Sequence, residues 1–348
     1  MVTKTTIQKL LRRNVAQLSA YSSARDEFSD KADIWLDANE SPFENGINRY
    51  PDPRQRELKK AIARLKKVKK EHVFIGNGSD EVLDLLYRAF CEPRLDNVIV
   101  TAPSYGMYEV LAEINDVDCR RANLNADFSL NTDNILVKTD ENTKLIFICS
   151  PNNPTGNTFD VGAIELLLEN TKALVVLDEA YIDFSEKPGF LGKLLQYPGL
   201  VIVQTLSKAW GMAGIRLGLG FASEEIINVL DRIKPPYNIN LLSQQQALTR
   251  IENRKEVIEQ IEVIRKEKQK MKEALQQLPG VKKVFPSDTN FLLVEMKNAT
   301  AIYTKLLAKD IVVRNRSGIL HCNECLRITI GTPEENRRLL TELKKIVQ

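Results

Sequence analysis

Short apolar runs alternate with amphipathic stretches through the middle of the chain. These runs are VIVT at 98–101, LIFICS at 145–150, ALVVLDEA at 173–180, LVIVQTLS at 200–207 and RLGLGFAS at 216–223. Their length and uniformity predict β-strands buried on both faces. Apolar residues at helical spacing between them predict helices over 79–90, 105–114 and 161–170. Strands interleaved with helices predict an α/β fold, in which helices wrap a mostly parallel central sheet.

Beyond residue 240 the pattern changes to a long, highly charged helical stretch, 241–278, which predicts a helix that links two domains. Its apolar stripe is formed by Ile251, Val257, Ile261 and Ile264. Short strand and helix patterns follow and are typical of a compact α+β module. We therefore predict an N-terminal arm that includes part of the small domain, a large domain, and a small domain that begins with the linking helix: 1–40, 41–244 and 245–348.

Composition and charge narrow the classes of function. The chain has 348 residues, enough for a large and a smaller domain, and its formal charge of +3 is too small to indicate a nucleic-acid partner. The densest basic run, 59–70, has helical spacing and predicts a solvated helix face. No apolar run approaches the about 18 residues that span a bilayer. We expect neither a nucleic acid nor a membrane as partner.

The cysteines form an odd, scattered set, which is typical of reduced thiols and predicts a cytoplasmic protein. HCNEC at 321–325 holds a C-x-x-C pair beside a histidine, but a structural zinc site needs a second pair of ligands, and none is near in sequence. We expect a loop leading into a strand at 326–330, without a metal or redox role.

Polar side chains follow the carboxyl ends of three predicted strands. Asn153 follows the first, Asp178 and Tyr181 the second, and Ser207 and Lys208 the third. Ligands of open α/β sheets bind at this edge. Each residue alone has an ordinary alternative as a turn residue, a cap, a half-buried aromatic or a solvated lysine. Their coincidence at one edge is what predicts a site.

A glycine-rich turn, GNGSDEVLDLL at 76–86, leads into a predicted helix that Ser79 or Asp80 can cap. Free amides in the first turn of such a helix can accept a phosphate. The dinucleotide pattern GxGxxG is absent, so a cradle for a single phosphate is predicted. Thr205, Ser207 and Arg216 can supply further donors to the same anion.

The order and spacing of these motifs resemble the fold-type I enzymes that use pyridoxal 5′-phosphate (PLP), and within them the histidinol-phosphate aminotransferase family. The resemblance covers essentially the whole chain. It rests on YSSAR (21–25), DANESP (37–42), NRYPDP (48–53), GNGSDE (76–81), RAFCEP (88–93), PSYGMY (103–108), SPNNPTG (150–156), DEAYIDF (178–184), TLSKAWGMAGIRLG (205–218), TNFLL (289–293) and LRITIGT (326–332). AWGMAG departs from the commoner AFxLAG. The implied fold is that of a fold-type I PLP-dependent transferase, with a small α+β domain built from both termini.

The resemblance implies roles for the residues around the cofactor ring. Lys208 would form the Schiff base with PLP and then carry a proton, which requires an amine whose pKa is lowered by burial and neighbouring positive charge. Asp178 would pair with the pyridine nitrogen. Tyr181 and Asn153 would hydrogen-bond the phenolic oxygen, and Tyr105 would stack on the ring.

The resemblance also implies anion sites. The PLP phosphate would be bound by Gly78, Ser79, Asp80, Thr205, Ser207 and Arg216. Tyr50 would reach this phosphate from the neighbouring subunit, which implies a homodimer. Arg327 would bind in turn the carboxylate of glutamate and the phosphate of histidinol phosphate. Arg314, with Tyr21 and Asn290, would complete that pocket, although Arg314 alone is also compatible with an exposed charge at a strand end.

The implied activity is PLP-dependent amino transfer from L-histidinol phosphate to 2-oxoglutarate, giving imidazole-acetol phosphate and L-glutamate in histidine biosynthesis. Two other enzymes on this scaffold stay open: an aromatic amino-acid aminotransferase and a threonine-phosphate decarboxylase. A non-catalytic PLP-binding regulator is a further alternative. Such regulators carry an added DNA-binding segment, for which this chain has no residues left.

Overall fold

A computed structural model of the protein describes residues 4–19, 25 and 32–348. Within these ranges the larger sheet consists of β1 (Val73–Asn77), β2 (Asn97–Ala102), β3 (Asp118–Asn123), β4 (Thr143–Cys149), β5 (Leu174–Asp178), β6 (Leu200–Thr205) and β7 (Leu217–Phe221). Their order in the sheet is β1-β7-β6-β5-β4-β2-β3. The neighbours from β3 to β6 pair in parallel, whereas β7 is antiparallel to both β6 and β1. The predicted mostly parallel α/β sheet is confirmed.

The central strands are uniformly apolar because both faces of the sheet are covered. Along β4, Leu145 and Phe147 lie in one core, and Ile146 and Ile148 lie in the other. Successive side chains of a strand point to opposite faces, so burial on both sides removes the polar alternation seen in half-exposed strands.

Helices cover the two faces of this sheet. One face is covered by α1 (Lys4–Leu10), α2 (Arg13–Gln17), α4 (Ser79–Phe90), α5 (Met107–Ile114) and α8 (Glu224–Ile233). The other is covered by α3 (Arg56–Lys66), α6 (Thr132–Lys138), α7 (Val161–Asn170) and α9 (Leu241–Glu252). Short 3₁₀ turns occur at Lys70–His72, Ile182–Phe184, Phe190–Lys193 and Ala213–Ile215. Ile7 and Val15 pack in the core that covers the first of these faces of the larger sheet.

The C-terminal part forms a smaller, antiparallel sheet. Among the described residues it contains β8 (Val281–Val284), β9 (Phe291–Met296), β10 (Arg314–Asn315) and β11 (Cys325–Thr329), in the order β10-β11-β9-β8. Its core is completed by α10 (Arg254–Gln276), α11 (Ala299–Leu307) and α12 (Pro333–Val347). No helix in the described part of the chain is long and apolar enough to cross a membrane.

Two details differ from the expected elements. The helix predicted over 241–278 is two helices, because Asn253 ends α9 and precedes α10 with non-helical torsion angles (φ −88°, ψ 26°). The strands β1 and β3 were not expected. Both lie at edges of the sheet. The sequence of β3, DCRRAN, has little apolar character, whereas β1, VFIGN, is a short run that is buried over its first four residues. The domain boundary near residue 244 stays a prediction.

Candidate active site

The carboxyl ends of β2, β4, β5 and β6 meet at one edge of the larger sheet, and a cavity of about 630 Å³ opens there towards β10 and β11. The structure brings most of the predicted site residues to the wall of this cavity. They are Ser79, Asp80, Tyr105, Asn153, Asp178, Tyr181, Thr205, Ser207, Lys208, Arg216, Arg314 and Arg327. Their convergence follows from parallel strands, since the loops after such strands lie at the same edge.

Asp178 ends β5 at the bottom of the cavity and is only 3% exposed. Its carboxylate accepts hydrogen bonds from the Tyr108 hydroxyl at 2.7 Å and from the Ala180 amide at 3.0 Å. Burial raises the pKa of Asp178 to about 6, partly offset by these two donors. A cation that faces this group would favour its ionised form further.

Lys208 lies on the loop after β6 and extends into the same cavity, with its Nζ 5.7 Å from the centre of the Tyr181 ring. Its side chain is accessible because the cavity is open. The surrounding protein nevertheless lowers the pKa of Lys208, first by burial and then through the positive charge of Arg327. A lysine with a lowered pKa has a larger fraction of the neutral, nucleophilic amine near neutral pH.

Arg327, Asn153 and Tyr181 form one group on the side of the cavity near the small sheet. The Arg327 guanidinium donates to the Asn153 side-chain oxygen and lies over the Phe291 ring at 5.2 Å. Tyr181 packs edge-on against the same ring at 5.3 Å. Phe291 therefore fixes the positions of both Arg327 and Tyr181.

The opposite side of the cavity is the amino end of α4. Gly78 precedes this helix with a φ of 79°, and no side chain caps it. The predicted capping by Ser79 or Asp80 is wrong because both residues lie inside the first turn. The first-turn amides consequently keep their hydrogen-bonding capacity for an anion.

Close backbone packing shapes this end of the cavity. A Cβ atom at Gly218 would lie 2.1 Å from the Ser79 nitrogen, and one at Gly78 would lie 2.7 Å from the Arg216 guanidinium. Only glycine fits at either position. The Arg216 guanidinium lies 3.6 Å from the Asp80 carboxylate, to which the Tyr105 hydroxyl also donates. The free amides of α4 and the Arg216 guanidinium are the donors here that would suit a single phosphate.

The other predicted residues do not line the cavity. Gly78 lies directly behind its wall. Tyr50 is 51% exposed and stacks on Tyr237 at 4.4 Å. Asn290 is half-buried and accepts a backbone hydrogen bond from Ile330. Tyr21 lies outside the described residues.

The comparisons with known proteins agree with this geometry. The model of the family described as aminotransferase class I and II matches residues 18–343. The chain belongs to the class I and II aminotransferases.

Its relatives within the class I and II aminotransferases include histidinol-phosphate aminotransferases. The one from Parabacteroides distasonis is 52% identical over 98% of this chain and 99% of its own. The solved structure of the one from Clostridium acetobutylicum has a TM-score of 0.80 at 27% identity, covering 86% of this chain and 91% of that chain. The one from Sinorhizobium meliloti, in complex with PLP, has a TM-score of 0.79 at 24% identity, covering 86% and 83%, which shows the shared fold alone.

Aminotransferases of this family depend on PLP, and the cavity has matching groups for each part of that molecule. The uncapped helix end and Arg216 suit its phosphate, and the buried carboxyl of Asp178 suits the ring nitrogen. Lys208 lies in the same cavity and is an amine suited to its aldehyde.

Two residues of this aminotransferase site were missed by the sequence reasoning. Tyr108 donates to Asp178 and stacks on Phe147 at 5.1 Å, and Arg316 lines the cavity beside Arg327. Tyr108 lies in the quoted PSYGMY motif, three residues after Tyr105, a spacing that places two residues on one side of a helix. The two-residue spacing between Arg314 and Arg316 could have indicated Arg316, because alternate residues of a strand lie on one face.

Glu179, next to Asp178, is a second buried carboxyl, but it belongs to the scaffold of the aminotransferase. It accepts hydrogen bonds from the Phe190 amide at 2.7 Å and from Gln204 at 2.8 Å. Burial raises its pKa from 4.5 to about 7. It therefore holds the loop that contains Phe190 against the end of β5.

The raised pKa of Glu179 predicts a pH-dependent stability. The folded protein keeps the Glu179 carboxyl protonated up to a higher pH than the unfolded chain does. The stability that this difference contributes is therefore complete below pH 4.5 and is lost as the pH rises through about 7. Glu179→Gln lacks this ionisation. We expect wild type to lose stability relative to the variant over that interval, measured by urea unfolding at a series of pH values. Parallel stability curves for the two proteins would contradict the assignment.

Proposed function

We propose that the protein catalyses reversible transfer of the amino group between L-histidinol phosphate and 2-oxoglutarate, with PLP as cofactor, as a step of histidine biosynthesis. The observation that carries the proposal is one cavity lined by a lysine, a buried carboxyl and two separate sets of arginines, with Arg216 on the loop after β6 and Arg314 and Arg327 on β10 and β11. A phosphorylated amine bound to PLP needs two anion sites, one for its own phosphate and one for the phosphate of the cofactor. The near full-length similarity to histidinol-phosphate aminotransferases supports this substrate.

The chain's own groups then have distinct tasks. Bound PLP supplies an electron sink for the carbon that loses its proton. Lys208 would hold the cofactor and move the proton, and the Asp178 carboxylate would keep the ring nitrogen protonated. Arg216 and the amides of α4 would bind the cofactor phosphate, and Arg327 would bind the substrate anion. Tyr181 and Asn153 would orient the ring oxygen.

The substrate is tested by assaying the purified PLP-loaded protein with separate amino donors. We expect L-glutamate to form from 2-oxoglutarate when L-histidinol phosphate is the donor. Rapid turnover of phenylalanine or tyrosine without turnover of histidinol phosphate would identify an aromatic aminotransferase instead. Release of carbon dioxide from threonine phosphate would identify a decarboxylase.

We further propose that the protein is a homodimer in the cytoplasm. The segment 32–50, which includes the end of the predicted arm, exposes Ile34, Leu36, Phe43 and Ile47, whose exposure ranges from 60 to 89%. Large apolar side chains concentrated in one segment favour a protein interface. Tyr50, at the end of this segment, lies outside the cavity of its own chain, which supports its donation to a partner's cofactor phosphate.

If each active site contains residues of both subunits, two impaired variants should complement each other in a mixed dimer. Lys208→Ala lacks the reactive amine, and Tyr50→Ala would lack the phosphate contact given to the partner. A mixed dimer contains one site that combines the intact Lys208 of one subunit with the intact Tyr50 of the other. We therefore expect mixing after partial unfolding and refolding to increase PLP affinity and activity above the Tyr50→Ala level. Activity equal to the average of the separate variants would contradict sharing.

A further inference from the structure

The hairpin of β10 and β11 places three arginines on one face. Arg314 lies directly opposite Arg327 in the antiparallel register. The Arg316 amide donates to the Cys325 carbonyl at 2.8 Å, so the pairing continues beyond β10. Alternate residues of a strand face the same side, and all three arginines line the cavity. Arg316 is half-buried there.

These charges are not balanced within the protein. Arg327 donates to Asn153, but the Nε atoms of both Arg316 and Arg327 are buried without a hydrogen-bond partner in the described structure. Across the ranges that the structure describes, no carboxylate forms an ion pair with the three guanidinium groups. Burial, and then the charges of Arg327 and Arg314, lower the pKa of Arg316. Arg316 and Arg327 are half-buried and Arg314 is exposed, and like charges held close together and partly out of water are unfavourable unless an anion joins them.

The anion at this end is distinct from the cofactor phosphate. The proposed cradle for the cofactor phosphate lies at the amino end of α4 with Arg216, and its residues belong to other elements than the hairpin. The arginines of the hairpin therefore face the part of the cavity left for the substrate.

A carboxylate has two oxygens and one charge, which a single guanidinium fork satisfies. A phosphate monoester has three terminal oxygens and up to two charges, and can use further guanidinium groups.

We propose that Arg316 is a specificity-determining residue that binds the phosphate of the substrate together with Arg314, and favours a phosphate monoester over a carboxylate. The proposal rests on the proposed amino transfer from histidinol phosphate. Arg327 remains the guanidinium shared by the two substrates. Arg316 distinguishes them because only the phosphate has oxygens and charge left to engage it.

A structural role for Arg316 would give a different result. Its positive charge lies near Cys322, whose pKa is lowered first by a hydrogen bond with Cys325 and then by Arg316. If Arg316 only supported this loop, its loss would affect all substrates alike and would also lower stability. A loss of activity confined to histidinol phosphate would therefore indicate that Arg316 binds the substrate, and would distinguish this role from structural support of the loop.

The experiment uses the PLP-loaded enzyme with Arg316→Gln, Arg316→Lys and, as a matched control, Arg337→Gln on the exposed surface of α12. Inhibition by inorganic phosphate and the half-reactions with L-histidinol phosphate and L-glutamate are measured separately. We expect Arg316→Gln to raise the phosphate inhibition constant and lower kcat/KM for histidinol phosphate by about 10- to 100-fold each, as for loss of a hydrogen bond to a charged group. Arg316→Lys should fall between wild type and Arg316→Gln. Turnover of glutamate, PLP affinity and Tm should stay near wild type, as in the control.

Two outcomes would overturn the proposal: an unchanged phosphate inhibition constant, or an equal loss with both substrates. Failure of the proposed function is recognised separately. If wild type does not turn over histidinol phosphate but binds inorganic phosphate in an Arg316-dependent manner, the substrate assignment fails and the phosphate site stands.

Discussion

Replacing Lys208 with alanine is expected to reduce amino transfer by about 10⁴-fold or more, because one amine serves as both nucleophile and proton carrier. The residue lies on the loop after β6 within the cavity, and its lowered pKa favours the reactive neutral form. The measurement is single-turnover conversion of each amino donor by PLP-loaded protein. Borohydride treatment followed by mass spectrometry reports whether the cofactor is attached to residue 208.

Two further variants make this test specific. Lys208→Arg keeps the positive charge but lacks a comparable nucleophile, so we expect it to be as inactive as the alanine variant. Lys187→Ala removes an exposed lysine that pairs with Asp288 at 3.0 Å outside the cavity, and should leave turnover unchanged. Substantial turnover by Lys208→Ala, or covalent attachment of PLP elsewhere, would refute the assigned role.

Asp178→Asn is expected to lower turnover by about 10²- to 10³-fold, in the range seen when a preorganised electrostatic contact is lost. Asparagine keeps the shape of the side chain, and its one oxygen can still accept a hydrogen bond from the Ala180 amide, while its NH2 group replaces the oxygen to which Tyr108 donates. It cannot supply negative charge to a protonated ring nitrogen. The half-reaction rate is the informative measurement, together with PLP affinity. Both should fall, because the charge contributes to cofactor binding as well as to the reaction.

Glu179→Gln is the matched control for this variant. It neutralises the adjacent buried carboxyl, whose partners Phe190 and Gln204 lie in the scaffold. Turnover should remain close to wild type, although the variant should lack the loss of stability with rising pH that is expected for wild type. Equal activity losses in the two variants would indicate a general effect of altered buried charge, against a specific role of Asp178.

The sequence predicts the central sheet well because its inner strands are buried on both faces. Each is therefore a short, uniformly apolar run without the periodicity of a surface helix. The helices at 79–90 and 161–170 have the bounds expected from their apolar spacing. The edge strands are harder to predict, since β3 obtains its stability from pairing with β2 and exposes much of its polar sequence. The break at Asn253 is also hidden, because its neighbours on both sides have strong helical patterns.

The candidate site is predictable wherever a motif sits at the end of a strand. Asp178 and Lys208 are examples, because the topology of parallel strands brings them to one edge. The contact between Tyr108 and Asp178 joins residues 70 positions apart and depends on how α5 packs, which no local pattern reports. The charge balance around Arg316 likewise depends on which carboxylates are absent from its surroundings, and that is a property of the folded cavity.

The direction of β7 has a mechanical consequence for the cofactor. Because β7 runs back beside β6, the chain returns to the same edge through a short loop, 206–216, without a helix crossing the sheet. Arg216, the proposed phosphate ligand, and Lys208, the proposed reactive amine, thus lie on the same short loop. Lengthening or shortening this loop would displace Arg216 and Lys208 together, whereas comparable changes after β4 would displace Asn153 and the Arg327 guanidinium that donates to it.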